Sequence, residues 1–387
     1  MHTTTSSQHL MTEMQSRGLR LADPAAGAPS RKGGAGPSDH KAVTIDGRTI
    51  MVPVHTGAAA DSPFLAATPD ADGTAALTRD GTTIARIAFP KPPRFYKLQT
   101  FDGLPYWKIA QLHGSDVLAT TVLQTCVRYG RRSTSCQFCA IGDSLAAGRT
   151  INRKEPEQLA EVARAAVLLD GITHMVMTTG TPNFTDRGAA LLCESAFAVK
   201  AAVPQLPIQA QCEPPDDPVW FTRLHAAGVD SLGMHLEAVT PAVRARIMPG
   251  KAEVSIEQYL AAFEQAVAVF GRGQVSTYIL AGLGDSRAAI LAMCEQLVTL
   301  GVYPFVVPFV PIEGATMADC VALARDAGRT LKSGDARERL VAPEQMGRHS
   351  HEVACYIRGR RFHWQAGRES LSHSSLLRMA QRPSTPF

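Results

Sequence analysis

The sequence predicts an α/β protein built on a partial (β/α)6 TIM-like barrel, with a β-rich extension before it and a tail after it. Three observations carry that prediction. Short apolar runs alternate with amphipathic stretches from about residue 115 onward, and parallel strands need a crossover that is usually a helix. Two Asp-Gly steps, Asp46-Gly47 and Asp80-Gly81, each sit between β-branched runs, a strong short-range sign of a hairpin. Thiol, hydroxyl and charged side chains collect just after the predicted strands, where a purely structural sheet rarely needs them and where barrel ligands gather.

Residues 1–42 are rich in Ser, Gly, Ala and Pro and read as a disordered tail. Residues 43–114 hold both Asp-Gly steps and read as a small β-hairpin-rich subdomain. Residues 115–335 read as the barrel. Its strands are expected over 117–124, 174–179, 208–212, 231–236, 275–280 and 304–310, and its helices over 156–169, 186–202, 217–227, 255–270 and 286–300. The first of these helices opens on Pro156, which suits a first turn, and stops before Gly171. The run from Ile256 repeats apolar residues at intervals of three and four, as a helix facing a core should. Six units suit a barrel open on one side, and an open doubly wound sheet is the alternative. Residues 336–387 form a basic, His-rich C-terminal extension that either caps the barrel or lies on its surface.

Composition narrows the function classes. A net charge of +4 over 387 residues, without a basic run, gives no case for nucleic acid as a partner. No stretch reaches the length of apolar sequence needed to cross a membrane. The first residues lack the charged and apolar regions of a signal peptide, so a cytoplasmic location is expected. There, cysteines that cluster more often bind metal or do catalysis than form disulfides.

Cys126, Cys136 and Cys139 do cluster, on one loop after the first predicted barrel strand. Iron prefers soft thiolate donors, and three of them can hold three corners of a [4Fe–4S] cluster while leaving one iron open. A structural or catalytic zinc is the alternative. It needs a fourth ligand, for which His174, Cys193 or Cys212 could serve, and it would make the chain a zinc-dependent barrel hydrolase. A non-catalytic iron–sulfur scaffold protein is the third reading.

The remaining strand ends offer weaker signals. Thr178-Thr179-Gly180-Thr181 combines small residues that let a ligand approach backbone N–H groups, or it is a plain βα turn. His235 and Glu237 are expected to alternate on one strand and share a face, where a carboxylate can accept two hydroxyls of a ribose. A buried Glu237 needs a partner, and Arg244 or Arg246 could provide it. Arg244, Arg246 and Lys251 surround Met248-Pro249-Gly250 and either hold an anion or form a solvated face. Gly282-Leu283-Gly284 lacks the third glycine of a dinucleotide fingerprint.

Together these residues resemble the radical SAM superfamily over about 117–312. The closer likeness is to an uncharacterised radical SAM family often encoded beside nitrilases, carried by the runs Thr173–Thr181, Gln211–Pro215 and Gly301–Phe309. Gly233–Glu237 with Arg246–Lys251, and Val275–Asp285, are similar to the lipoyl synthase and biotin synthase branch. The resemblance implies that Cys126, Cys136 and Cys139 ligate the cluster. It implies that Phe138 presents its backbone to the adenine of S-adenosylmethionine (SAM) and that Thr179, Gly180 and Thr181 stand where the amino group is held. It places Glu213 on the SAM pocket, His235, Glu237 and Arg246 around the ribose, and Leu280 and Gly282 against the adenine. The implied chemistry is reductive cleavage of SAM to a 5′-deoxyadenosyl radical that abstracts hydrogen from a small-molecule substrate, with a flavodoxin or ferredoxin-type electron donor. Two departures stand out: nine residues separate Cys126 from Cys136 where three are usual, and Thr181 replaces an acid.

Overall fold

The computed structural model describes residues 4–24, 40–54, 57–131 and 133–309. The C-terminal extension at 336–387, the end of the barrel stretch at 310–335, and residues 25–39 of the expected tail lie outside the described residues, as do Cys320 and Cys355.

The N-terminal part, residues 4–88, is a six-stranded sheet with helix α1 (Thr4–Arg17) packed on it. Helix α1 and β1 (Arg20–Leu21) lead into the hairpin β2 (His40–Ile45) and β3 (Arg48–Pro53). A short α2 (Gly57–Ala60), then β4 (Phe64–Ala66), β5 (Thr74–Arg79) and β6 (Thr82–Ala88) complete it, in the order β1-β4-β5-β6-β2-β3. Both Asp-Gly steps turn hairpins: Asp46, Gly47, Asp80 and Gly81 all have positive φ, as a tight primed turn demands.

The tail reading therefore needs correction over 4–24. Met11 and Met14 of α1 and Leu19 behind it are buried in one apolar cluster with Val43, Val52, Phe64 and Leu77. Each such side chain contributes about 1.5–3 kcal/mol on burial, enough to fix a helix whose own Thr-Ser-Ser-Gln composition favours it weakly. A composition average over the stretch conceals three well-spaced apolar residues.

The half-barrel follows, over residues 106–308. Helix α3 (Tyr106–Ile109) and β7 (Gln111–His113) precede β8 (Val117–Thr121), α4 (Ile141–Ala146) and α5 (Pro156–Asp170). Then follow β9 (His174–Thr178), α6 (Ala189–Ala202), β10 (Ile208–Gln211), α7 (Val219–Ala226), β11 (Ser231–Gly233) and α8 (Pro241–Ile247). The series ends with α9 (Ile256–Phe270), β12 (Val275–Ala281), α10 (Arg287–Leu300) and β13 (Val302–Pro308). Strands β8 to β13 are all parallel and lie side by side in chain order. A doubly wound sheet reverses its strand order at a switch point; this one never does, so the barrel reading stands and its alternative falls. The sheet stays open, with the antiparallel β7 closing the edge at β8.

The helices read from the sequence form where capping chemistry places them. Glu155 and Gln158 make a reciprocal capping box ahead of α5, and Ser255 and Gln258 do the same ahead of α9. Gly171 and Gly301 end α5 and α10 in the left-handed conformation.

Side chains alternate across the sheet. Met175, Met177, Ile208, Ala210, Leu232 and Ile279 join the helices in one large core. Their neighbours face the other way, into the barrel. On β10 to β12 that inner face carries Gln209, Gln211, Ser231 and Ser276, all buried, where bulky aliphatic residues usually fill a barrel.

Candidate active site

The three cysteines stand at the C-terminal rim, all with free thiols and all half-buried. Their loop and the residues leading into it are laced to the end of β9 and the segment after it by backbone bonds. Val122 N–H donates to the Thr178 carbonyl at 2.8 Å, Gly180 N–H to Leu123 at 2.9 Å, and Val127 N–H to Thr181 at 2.9 Å. Gly180 is required by this contact, since a Cβ there would overlap the Thr125 carbonyl beside Cys126. The expected ligand-gripping segment Thr179–Thr181 is thus spent largely on holding the first cysteine. Thr179 Oγ1 donates to the Gly180 carbonyl at 2.8 Å, and Thr181 Oγ1 to Glu213 at 2.6 Å.

The other two cysteines lie on a turn in which Cys139 N–H donates to the Cys136 carbonyl at 3.1 Å. Gln137 between them is tied to the end of α8, its backbone N–H to Ile247 and its side chain to the Arg246 carbonyl. Phe138 is buried in a small apolar cluster with Val243, Ile247, Met248 and Leu283, against which Cys136 and Leu280 pack. Phe138, Cys136 and Leu280, separated widely in sequence, are therefore brought together. Burial raises the Cys136 thiol well above its ordinary value, with the Glu237 carboxylate adding to it. Burial pushes Cys139 up to about 12. A bound metal would reverse that balance, since a coordinating thiol gives up its proton.

Strand β11 ends at Gly233, so His235 and Glu237 do not share a strand face as expected. Glu237 has a φ of 64°, a left-handed conformation uncommon outside glycine. It is held there by two bonds to β12, its N–H to the Tyr278 carbonyl and its carbonyl from Leu280 N–H, both 2.8 Å. Its carboxylate meets Lys251 Nζ at 2.8 Å, so the partner is neither Arg244 nor Arg246. His235 instead lays its ring against Tyr278, with centroids 4.6 Å apart, and its Nδ1 accepts the Tyr278 backbone N–H at 3.2 Å. That bond leaves the proton on Nε2, which is shielded from solvent and has no hydrogen-bond partner among the described residues. Burial, helped by the Lys251 charge, lowers the His235 pKa to about 3 and keeps the ring neutral.

The basic residues around Met248-Pro249-Gly250 do not form a solvated face. Arg244 is almost wholly buried, donating to the carbonyls of Leu236, Lys251 and Val254 while lying over the Tyr259 ring at 4.9 Å. Arg246 donates to the Leu283 carbonyl at 3.1 Å and lies so close to Gly284 that a Cβ there would strike its guanidinium. Gly282, with φ of 115°, turns the chain out of β12 just past Leu280.

Sequence reasoning missed Arg128, inside the cysteine loop. Its guanidinium grips both oxygens of Glu213, Nε to Oε1 and Nη2 to Oε2, each at 3.1 Å, with both side chains buried. The two residues are 85 positions apart, and no local pattern links them.

The donor chemistry of the loop fits an iron–sulfur cluster: three soft, half-buried thiols on one loop beside an apolar wall. Among the described residues no three His, Cys, Asp or Glu side chains converge closely enough to hold a single ion. No described helix is long and apolar enough to cross a membrane.

A family model described as the radical SAM superfamily matches residues 130–297. A bacteriochlorophyllide c C-7(1)-hydroxylase from Chlorobaculum limnaeum is 36% identical over 115 residues, which are 29% of this chain and 28% of that protein. Two solved structures overlap the fold more loosely. Methylornithine synthase (PylB) has a TM-score of 0.41 at 14% identity, covering 68% of this chain and 80% of that one. The FeFe-hydrogenase maturase HydG from Carboxydothermus hydrogenoformans has a TM-score of 0.41 at 17% identity, covering 56% and 53%.

Proposed function

We propose, from the premise that this chain is a radical SAM enzyme, that Cys126, Cys136 and Cys139 hold a [4Fe–4S] cluster beside a SAM site at the barrel rim. When bound, the reduced cluster and SAM supply a 5′-deoxyadenosyl radical that takes hydrogen from a small molecule. The observation that carries the proposal is the gathering of all three thiols on one loop, fastened by backbone bonds to the segments after β9 and α8.

The chain's own residues then have separable tasks. Phe138 and Leu280 form an apolar edge suited to an adenine ring, and Gly282 turns the chain just beyond it. Glu237, oriented by Lys251, presents a carboxylate that two ribose hydroxyls can bond, and Arg246, held on the Leu283 carbonyl, completes the ribose side in this reading. Thr179, Gly180 and Thr181 set the position of Cys126 next to the amino acid end of SAM. Glu213, on the same pocket, acts through the residues it grips. The inner face, with the uncharged Gln209, Gln211, Ser231 and the Nε2–H of His235, suits an uncharged polar portion of a substrate, because burying an ionic group among them would cost it its hydration. A flavodoxin or ferredoxin-type protein is the electron donor in this reading. The hydroxylase matches over 28% of its own length, and its bacteriochlorophyllide substrate is not carried over.

Anaerobic reconstitution with iron and sulfide, followed by dithionite and SAM, tests the proposal. A brown protein that releases 5′-deoxyadenosine is expected. A colourless protein that retains zinc, or a brown one that makes no 5′-deoxyadenosine, would overturn it.

A further inference from the structure

The nine residues between Cys126 and Cys136 pose a physical problem. A long flexible connection lets its ends wander, and bringing them together costs entropy. The structure shows how the wandering is stopped. Arg128 is buried and spends its guanidinium on four acceptors: both oxygens of Glu213 at 3.1 Å, Glu253 Oε2 at 2.9 Å, and the Gly250 carbonyl. Its Cζ also lies 5.2 Å from the centre of the Phe184 ring. Its own carbonyl accepts Thr134 Oγ1 at 2.8 Å and Ser135 Oγ at 3.2 Å, closing the loop on itself just before Cys136.

The anchors come from separate parts of the rim. Glu213 follows β10, and Thr181, which shares the Glu213 carboxylate, follows β9. Gly250 and Glu253 follow α8. Gly250 N–H also donates to the Thr134 carbonyl at 3.2 Å, and a Cβ on Gly250 would lie 2.5 Å from that oxygen, so the two backbones are in direct contact. Only arginine can make this junction. Its planar fork pairs both carboxylate oxygens while a further nitrogen reaches the carbonyl and Glu253, whereas a lysine is a single point of charge.

We propose that Arg128 is the positioning residue of the cysteine loop: clamped on Glu213, it sets Cys126 relative to Cys136 and Cys139 in the chain before any cluster is present, doing for a nine-residue spacing what short spacing does elsewhere. The inference rests on the cluster reading for its consequence, and on geometry alone for the clamp.

Hydrogen exchange on the full chain without iron separates the two. In the wild type, Val127, Tyr129, Thr134 and Ser135 N–H groups are bonded and should exchange slowly. In Arg128→Met they should exchange at least tenfold faster, while α5 and α9 keep their wild-type rates. After anaerobic reconstitution, iron and sulfide per chain should fall at least fivefold in Arg128→Met and recover partly in Arg128→Lys. The residual cluster of Arg128→Lys should show an altered electron paramagnetic resonance signal on adding SAM. If Arg128→Met does not fold, Arg128→Met/Glu213→Leu removes both charges and should restore folding but not cluster content. Unchanged loop exchange, or wild-type cluster content in a folded Arg128→Met, overturns the clamp. A wild type that takes up no cluster overturns the cluster reading and leaves the clamp to be judged by exchange.

Discussion

The carboxylate of Glu237 and the ammonium of Lys251 meet at 2.8 Å, both largely withdrawn from water. Burial alone would lower the lysine pKa; the surrounding anions, Glu237 first, hold it above the ordinary lysine value instead. Removing one partner of such a pair strands the other, and the loss of stability should be about 3–5 kcal/mol. Lys251→Met should show that loss in denaturant unfolding, whereas Lys251→Met/Glu237→Leu should regain much of it. A single variant as stable as wild type would refute the pairing.

Acid stability should carry the signature of His235. An unfolded histidine takes up its proton near pH 6.5, whereas burial holds the folded ring neutral down to about 3. Between those values the unfolded chain binds more protons, so stability rises with pH. The contribution of His235 is complete above about pH 6.5 and is lost as the pH falls towards about 3. Unfolding measured at half-unit steps should therefore show a shallower acid slope in His235→Gln than in wild type. Identical slopes would mean the ring is not the titrating group.

Gly180 has no positive φ, so its requirement is space rather than backbone freedom. Gly180→Ala should push the Thr125 carbonyl away and shift Cys126 with it. Overpacking of this kind costs typically about 1–3 kcal/mol, visible as a lower melting temperature, and cluster content should drop in parallel.

Cys126→Ala, Cys136→Ala and Cys139→Ala should each reduce iron and sulfide to a small fraction of wild type after reconstitution. Cys193, on α6 and remote in the chain from the loop, is the control. Cys193→Ala should load fully. Equal loading across all four variants would remove the loop from the cluster site.

Much of this could be read without coordinates, for reasons that differ by element. Pro156 and Gly171 marked α5, and three-four periodicity marked α9, because both signals are local. The Asp-Gly turns were legible because φ is set by the residues themselves. The cysteines were legible because their spacing and strand-end position are features of the chain alone. Helix α1 was not, since its stability comes from Met14 and Leu19 meeting strands far along the sequence. The shortness of β11 was hidden for a similar reason: the positive φ of Glu237 is imposed by β12, not by residues near it. Arg128 carries no local mark, because its partners Glu213, Gly250 and Glu253 stand 85 to 125 positions downstream.

That separation sets a schedule. A chain emerging from the ribosome presents Cys126, Cys136 and Cys139 well before it has made the residues that fasten their loop, and domains fold as their parts become available. The thiols spend that interval untethered, open to oxidation or to the wrong metal. In the proposed reading, the loop can take its cluster-holding geometry only once the residues up to Glu253 have been made and folded against it.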